Sequence, residues 1–166
     1  MTTELLKLAV NDDERLIPCT GLASLADVLR DELHITSVKV GCAEGYCGSC
    51  TVLVDDQPVL ACLTPALTCE GKAIRTVDAS GPLADLQEAL QRRFCELDAV
   101  HCGMCTPGIV TTMSALIAGG EIRHRSDITD ALVGSICRCS GYSRIVDAID
   151  HVLQEHMSAP AQDGAS

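Results

Sequence analysis

Cysteine is the residue type with the most chemistry to offer in this chain, occurring eleven times in 166 residues. Several stand only one or two residues apart, too close to join each other comfortably, and their number is odd. Metal ligation is therefore the stronger expectation than a disulfide framework. Cys42, Cys47 and Cys50 carry the spacing C-x4-C-x2-C inside the run Gly41-Cys42-Ala43-Glu44-Gly45-Tyr46-Cys47-Gly48-Ser49-Cys50, and Cys62 follows. That is the plant-type arrangement for a [2Fe–2S] cluster. Three thiolates wrap a compact, negatively charged group from one tight loop, and a fourth arrives from the next strand. Gly41, Gly45 and Gly48 are expected to take positive φ, letting backbone N–H groups point at sulfur. A structural zinc site usually pairs two short knuckles, and Cys62 has no second cysteine at that spacing. The plainer alternative is a glycine-rich turn with buried free thiols.

A second quartet follows. Cys102-Gly103-Met104-Cys105 is C-x2-C, and Cys137-Arg138-Cys139 is C-x-C. Each pair precedes a predicted helix, one opened by Thr106-Pro107 and the other by Ser140-Gly141-Tyr142. Helix N-termini supply unpaired N–H donors and a positive dipole end to an anionic group. By spacing alone this quartet suits a four-cysteine zinc site as well as a cluster; beside the first loop, a second [2Fe–2S] group is the better reading.

The elements that must hold these loops fall into two textures. Leu6-Lys7-Leu8-Ala9-Val10 alternates as a strand, Asn11-Asp12-Asp13 turns, and Arg15-Leu16-Ile17-Pro18 returns as its hairpin partner. Ser24 can cap a helix with Leu25, Val28, Leu29 and Leu33 on its apolar face and Asp27 in its first turn. Thr51–Val54 and Val59–Cys62 are predicted strands around an Asp55-Asp56 turn, and Ala73–Val77 closes this half. Asp78-Ala79-Ser80-Gly81-Pro82 is punctuation. Beyond it Leu83, Leu86, Leu90, Phe94 and Leu97 form a helical stripe. Thr106 can cap a helix ending at Gly119-Gly120, and Ser126 one running through Val133. A last helix spans about Tyr142 to His156, with Ile145, Ile149, Val152 and Leu153 inward. The expected domains are 1-78, 79-157 and a disordered polar tail, 158-166.

A hydrophobic content of 47% allows a packed core, but aromatic residues make up only 2%, so Leu, Val, Ile and Ala must fill it. The formal net charge of −11 argues against binding a nucleic-acid backbone. The first residues lack the basic and apolar regions of a secretory signal, and no run is long enough to cross a bilayer. The expectation is a soluble, cytoplasmic protein without membrane insertion; export with a partner that carries its own signal stays open. No nucleotide-binding glycine loop is present, nor any set of acid, base and nucleophile, so no catalytic residue is expected.

The stretch Val38–Asp55, with Cys102-Gly103-Met104-Cys105-Thr106-Pro107-Gly108 and Cys137-Arg138-Cys139-Ser140-Gly141-Tyr142, resembles the small subunit of the xanthine oxidase / carbon monoxide dehydrogenase family of molybdenum hydroxylases. The resemblance runs from about residue 3 to 155 and includes all eight ligand positions in order. It implies an α+β chain, a plant-type ferredoxin-like β-grasp domain followed by an all-α four-helix domain. It also implies that Cys102, Cys105, Cys137 and Cys139 hold a cluster proximal to the molybdopterin of a large subunit. Cys42, Cys47, Cys50 and Cys62 would hold the distal one, which passes electrons to an FAD-binding medium subunit or another acceptor. His101 and Cys139 would lie near the molybdopterin. Relatives usually carry Gln where His101 stands, and often Asn where Ser135 stands. A free-standing ferredoxin-like carrier and a structural zinc protein are the competing readings. Of the other residues, Cys19, Cys69 and Cys95 are expected as small buried hydrophobes, and Met104 as packing. Tyr46 and Tyr142 are expected to shield the clusters or pack. Arg138 would offset cluster charge or lie exposed.

Overall fold

A computed structural model describes residues 3–20, 22–81 and 83–158; the side chains of Thr3, Glu4, Cys19 and Thr20 are also outside the description. The expected tail therefore lies outside the described residues, apart from Ser158.

Alternation in the first residues produces a hairpin longer than predicted. Strands β1 (Thr3–Val10) and β2 (Asp13–Thr20) pair antiparallel, with Leu6 opposite Ile17. Leu6, Leu8 and Val10 point inward and are buried, whereas Leu5 and Leu16 face out. Asn11 and Asp12 both take positive φ, the conformation that a two-residue hairpin turn requires. Asn11 does a second job: its side-chain amide donates to the Thr76 hydroxyl and its oxygen accepts the Thr76 N–H, both at 2.9 Å. The hairpin tip is thereby tied to the segment that leaves the sheet.

Strands β3 (Thr51–Val54), β4 (Gln57–Leu60) and β5 (Ala73–Arg75) complete a mixed sheet of order β2-β1-β5-β3-β4, in which β1 and β5 run parallel. The second strand of the β3–β4 hairpin starts two residues earlier than predicted. Asp55 and Asp56, at positive φ, make a two-residue turn, so Val54 pairs directly with Gln57. Cys62 consequently lies beyond the strand, in a turn. Ser24 caps as expected: its hydroxyl accepts the Asp27 N–H at 3.1 Å. The helix it opens, α1 (Leu25–Asp27), runs on as a π-helical turn over Val28–Glu32. Leu25, Val28 and Leu29 bury against the sheet's inner face.

The second half holds four helices, α2 (Ala84–Glu96), α3 (Thr106–Ala118), α4 (Arg125–Ala131) and α5 (Ser143–Ser158). They bury a separate core in which Leu90, Phe94, Ile109, Met113, Ile128, Ile145 and Ile149 are almost fully enclosed. Two cap predictions are corrected. Helix α3 is capped by Cys105, with Thr106 and Pro107 already inside its first turn. Helix α4 starts from His124, not Ser126, because Asp127 accepts the N–H groups of Arg123 and His124, both at 2.9 Å. A carboxylate three residues into a helix satisfies donors that have no intrahelical partner.

One helix joins the two halves. α3 packs on β3 and β4 as well as on α2. All four residues of β3 are accordingly buried, Val52 and Val54 in the sheet's own core. No helix among the described residues is long and apolar enough to cross a membrane.

Candidate metal centres

The described cysteines are free thiols, and eight of them come together from four loops. They meet in twos. The sulfurs of Cys102 and Cys139 lie 3.6 Å apart although 37 positions separate them. Cys105 and Cys137 touch thiol to thiol, as do Cys42 with Cys47 and Cys50 with Cys62. Two sulfurs bound at about 2.3 Å to one tetrahedral metal would lie about 3.8 Å apart. Each pair thus has the spacing of two ligands on a single metal. Among the described residues no three His, Cys, Asp or Glu side chains converge as a site for one ion. A mononuclear zinc site needs such a convergence. Two pairs side by side instead fit a binuclear group, in which each iron takes two thiolates and shares inorganic sulfide with its neighbour.

The loops supply donors for anionic sulfur. Backbone N–H groups of Glu44, Cys47 and Tyr46 point at the Cys42 sulfur and draw its pKa down from about 9 to about 6; the Glu44 N–H is 3.4 Å away. The Met104 N–H lowers Cys102 in the same way. Burial pushes the Cys137 thiol up, but the Ser140 hydroxyl at 3.1 Å and the N–H groups of Ser140 and Cys139 outweigh it, for a net lowering. Desolvation dominates at the deeper members. It raises Cys50 to about 11 and Cys105 to about 12, helped by the neighbouring thiols Cys62 and Cys137 respectively. Cys139 is raised by its contact with Cys102.

Gly45 and Gly48 have positive φ as expected. Gly41 does not; a Cβ there would stand 3.0 Å from the Cys47 sulfur, so its bareness makes room for the ligand. Ala43 takes the left-handed conformation in that turn. The positioning of the second quartet is also corrected in part. Cys105 caps α3 directly, but α5 begins four residues after Cys139, across a turn in which Gly141 and Tyr142 have positive φ. Tyr142 packs and also holds backbone: its hydroxyl accepts the Cys137 N–H at 2.8 Å and donates to the Ser135 carbonyl at 2.9 Å. Ser135 is buried and contributes that carbonyl, so its side chain is not what makes the contact.

The two loops touch. The Ile136 N–H donates to the Cys47 carbonyl at 2.9 Å, which puts one hydrogen bond between a first-quartet cysteine and the residue before Cys137. This contact lies between residues remote in sequence and carries no local signature. The remaining cysteines behave differently from one another. Cys69 is buried as expected, Cys95 is exposed on the outer side of α2, and the Cys19 side chain is outside the description. Met104, at 46% exposure, is not core packing. Tyr46 is 71% exposed, and Arg138 and His101 are exposed too.

A family profile described as "2Fe-2S iron-sulfur cluster binding domain" matches residues 18–87, and one described as "[2Fe-2S] binding domain" matches 76–150. The chain is 36% identical over 161 residues to the nicotine 6-hydroxylase small subunit of Paenarthrobacter nicotinovorans, covering 96% of this chain and 91% of that one. It is 42% identical over 157 residues to caffeine dehydrogenase subunit gamma of Pseudomonas sp. (strain CBB1), covering 92% of each. The chain belongs to the small iron–sulfur subunits of the xanthine oxidase family of molybdenum hydroxylases. The fold agrees: the crystal structure of quinoline 2-oxidoreductase from Pseudomonas putida 86 superposes with a TM-score of 0.83 at 35% identity, covering 92% of this chain and 94% of that one. As a small subunit of this family, the protein is an electron-transfer component of an oxidoreductase, with two domains that bind [2Fe–2S] clusters.

Two measurements probe the geometry of these loops. In the metal-free chain at pH 7, Cys42 lies above its pKa of about 6 and is mostly thiolate, while Cys50 and Cys105, at about 11 and 12, stay protonated. Limited alkylation with mass-spectrometric readout should label Cys42 first and Cys105 last, the order narrowing as pH rises; equal labelling at pH 7 contradicts the arrangement. Replacing Tyr142 by Phe removes the acceptor of the Cys137 N–H, at a cost of about 1–3 kcal/mol. Loss of visible absorbance on heating should begin at lower temperature in Y142F.

Proposed function

We propose that Cys42, Cys47, Cys50 and Cys62 ligate one [2Fe–2S] cluster and Cys102, Cys105, Cys137 and Cys139 the other. Sulfurs arranged in four close pairs, with no three-donor convergence, are the observation that carries this assignment. On this reading Cys42 and Cys47 share one iron, Cys50 and Cys62 the next, Cys102 and Cys139 a third, and Cys105 and Cys137 the fourth. The ligands divide between a first domain, 1-78, and a second, 79-157, in keeping with the two separate cores. When bound, such a cluster accepts and releases one electron at a time.

The second quartet is the one we assign to the large, molybdopterin-binding subunit. Cys102 and Cys139 are exposed, and the adjoining stretches of chain carry the exposed apolar residues Met104, Val133 and Ile136. A patch of that kind is suited to burial against another chain. His101 stands exposed beside Cys102, where a neutral imidazole can donate one hydrogen bond to the pterin and a protonated one would add charge. The first quartet, bordered by exposed Tyr46 and Leu63, would face the FAD-binding subunit or another acceptor. The Cys47–Ile136 hydrogen bond gives the two quartets the short connection inside the chain that a relay between them needs. This chain's residues bind, insulate and space the clusters; substrate chemistry belongs to the partner. A reducing cytoplasm would keep the cysteines as thiols, free of disulfides.

The assignment predicts about four iron and four acid-labile sulfide per chain. Zinc without sulfide would remove it. Replacing Cys105 by Ser should impair the proximal cluster alone, seen as loss of one of two electron paramagnetic resonance signals, with substrate binding on the large subunit largely kept. Full turnover of C105S with the natural acceptor would contradict the relay. Gel filtration of native extract should place the chain with larger partners, where a free-standing carrier would elute near its own mass.

A further inference from the structure

Helix α3 carries a glycine at its third position, a residue less favourable to helix than alanine. Gly108 is buried, and a Cβ on it would stand 2.1 Å from the carbonyl oxygen of Gly48 and 3.0 Å from the Cα of Ser49. Real Cβ contacts essentially never fall below 3.0 Å, so the shortfall is 0.9 Å against backbone, which cannot swing aside as a side chain can. The same loop is held from its other side. A Cβ on Gly48 would stand 2.3 Å from the Gly134 carbonyl oxygen, and next to it the Ile136 N–H donates to Cys47. The segment Cys47-Gly48-Ser49-Cys50 therefore sits between the start of α3, which follows Cys105, and the stretch 134–136, which precedes Cys137. Each of the two surfaces that grip it is covalently attached to a cysteine of the other quartet.

The geometry points to Gly48 and Gly108 as positioning residues that set the distance between the two clusters, by letting bare backbone of one ligand loop contact bare backbone of the other. This rests on the ligand assignment under Proposed function. The step it serves is the passage of one electron from the reduced group on Cys102, Cys105, Cys137 and Cys139 to the oxidised group on Cys42, Cys47, Cys50 and Cys62. With both groups bound, the first would give up one electron and the second would take it, with no bond or proton changing place; substrate oxidation on the large subunit would supply the electron. The atoms a Cβ on Gly108 would meet first are backbone of Gly48 and Ser49 and not a ligand sulfur, so a change at Gly108 alters spacing before it alters ligation.

The test is Gly108→Ala in the purified holoenzyme, beside Ala118→Ser at the exposed last position of the same helix. Four quantities are read: iron and sulfide content, each cluster's own paramagnetic resonance signal, the magnetic interaction between the two reduced clusters, and the rate of electron transfer from one to the other. G108A is expected to keep its iron and sulfide and both signals. It should show a weaker interaction and a several-fold slower transfer, with A118S matching the parent. Unchanged interaction and rate in a fully loaded G108A overturn the proposal. If G108A loses iron, the decision passes to the unmodified holoenzyme by hydrogen exchange. The Ile136 amide should then be among the slowest of the loop amides, and exchange at the rate of exposed loops overturns the proposal. A parent holoenzyme whose small subunit lacks iron and sulfide would instead sink the ligand assignment, a separate result.

Discussion

Eight thiols gathered into four contacting pairs form the constraint to which the rest of this fold answers. Thiolates repel at such distances, and deep burial favours the neutral form, as the upward shifts at Cys50 and Cys105 express. Two influences therefore oppose each other inside each quartet. The outer cysteines, Cys42 and Cys102, are approached by backbone N–H groups and lean toward the charged form. The inner ones lie in low-dielectric surroundings and lean away from it. Binding a cationic metal group resolves the conflict by displacing the inner protons, so cluster loading and the ordering of the ligand loops are linked.

Helix α3 is the element through which the two halves share that arrangement. Its first turn follows Cys105, one flank contributes Ile109, Met113 and Ile117 to the helical core, and it rests on β3 and β4 of the sheet. A helix with a single apolar face could not do this. On the other flank the bare backbone of Gly108 allows the close approach to Gly48 and Ser49, while Ser114 turns to α2, where its hydroxyl accepts from the Gln87 amide at 3.4 Å. Asn11, reaching from the hairpin tip to Thr76, fixes the segment that leads out of the sheet and into the helices. Val77, directly after it, already packs on the helical core. The separation of the two quartets is thus under-determined by either core alone and is set where the cores meet.

Local features were the legible ones. The Asp55-Asp56 turn, the Ser24 cap and the stripe through Leu86, Leu90 and Phe94 are each decided within a few residues, and each is found in the fold; of the expected Asn11-Asp12-Asp13 turn, Asn11 and Asp12 form the loop and Asp13 already pairs in β2. Three departures from expectation have local causes. Cys62 falls outside β4 because a tight turn starts that strand early. Cys105 displaces Thr106 as the cap of α3 because the ligand loop turns directly into the helix. Cys95 is exposed although cysteine is usually buried, since its neighbour Phe94 takes the inward position on α2. The Ile136–Cys47 hydrogen bond and the contact of Gly108 with Gly48 join residues from different halves, and no spacing in the sequence records them. Gly108 alone left a trace, as a glycine inside a helix with no turn to justify it.

Charge is distributed to suit the same constraint. The chain has a formal net charge of −11, an unfavourable background for clusters that are themselves anionic. Yet the four ligand-bearing stretches 41–50, 60–64, 101–108 and 135–142 contain one acid, Glu44, and one base, Arg138, so His aside their formal sum is −1 + 1 = 0. The acids lie elsewhere, many of them in exposed pairs such as Arg93 with Glu155 and Arg125 with Asp147 and Asp150, which tie α2 and α4 to α5. Solvent screens those groups. Close to sulfur, stabilisation of negative charge is left to backbone N–H groups and the Ser140 hydroxyl, which are neutral and fixed in direction. Dipoles of that kind favour anionic sulfur without bringing counter-charges that would themselves need hydration, and so the ligand loops can be covered by a partner at little desolvation cost.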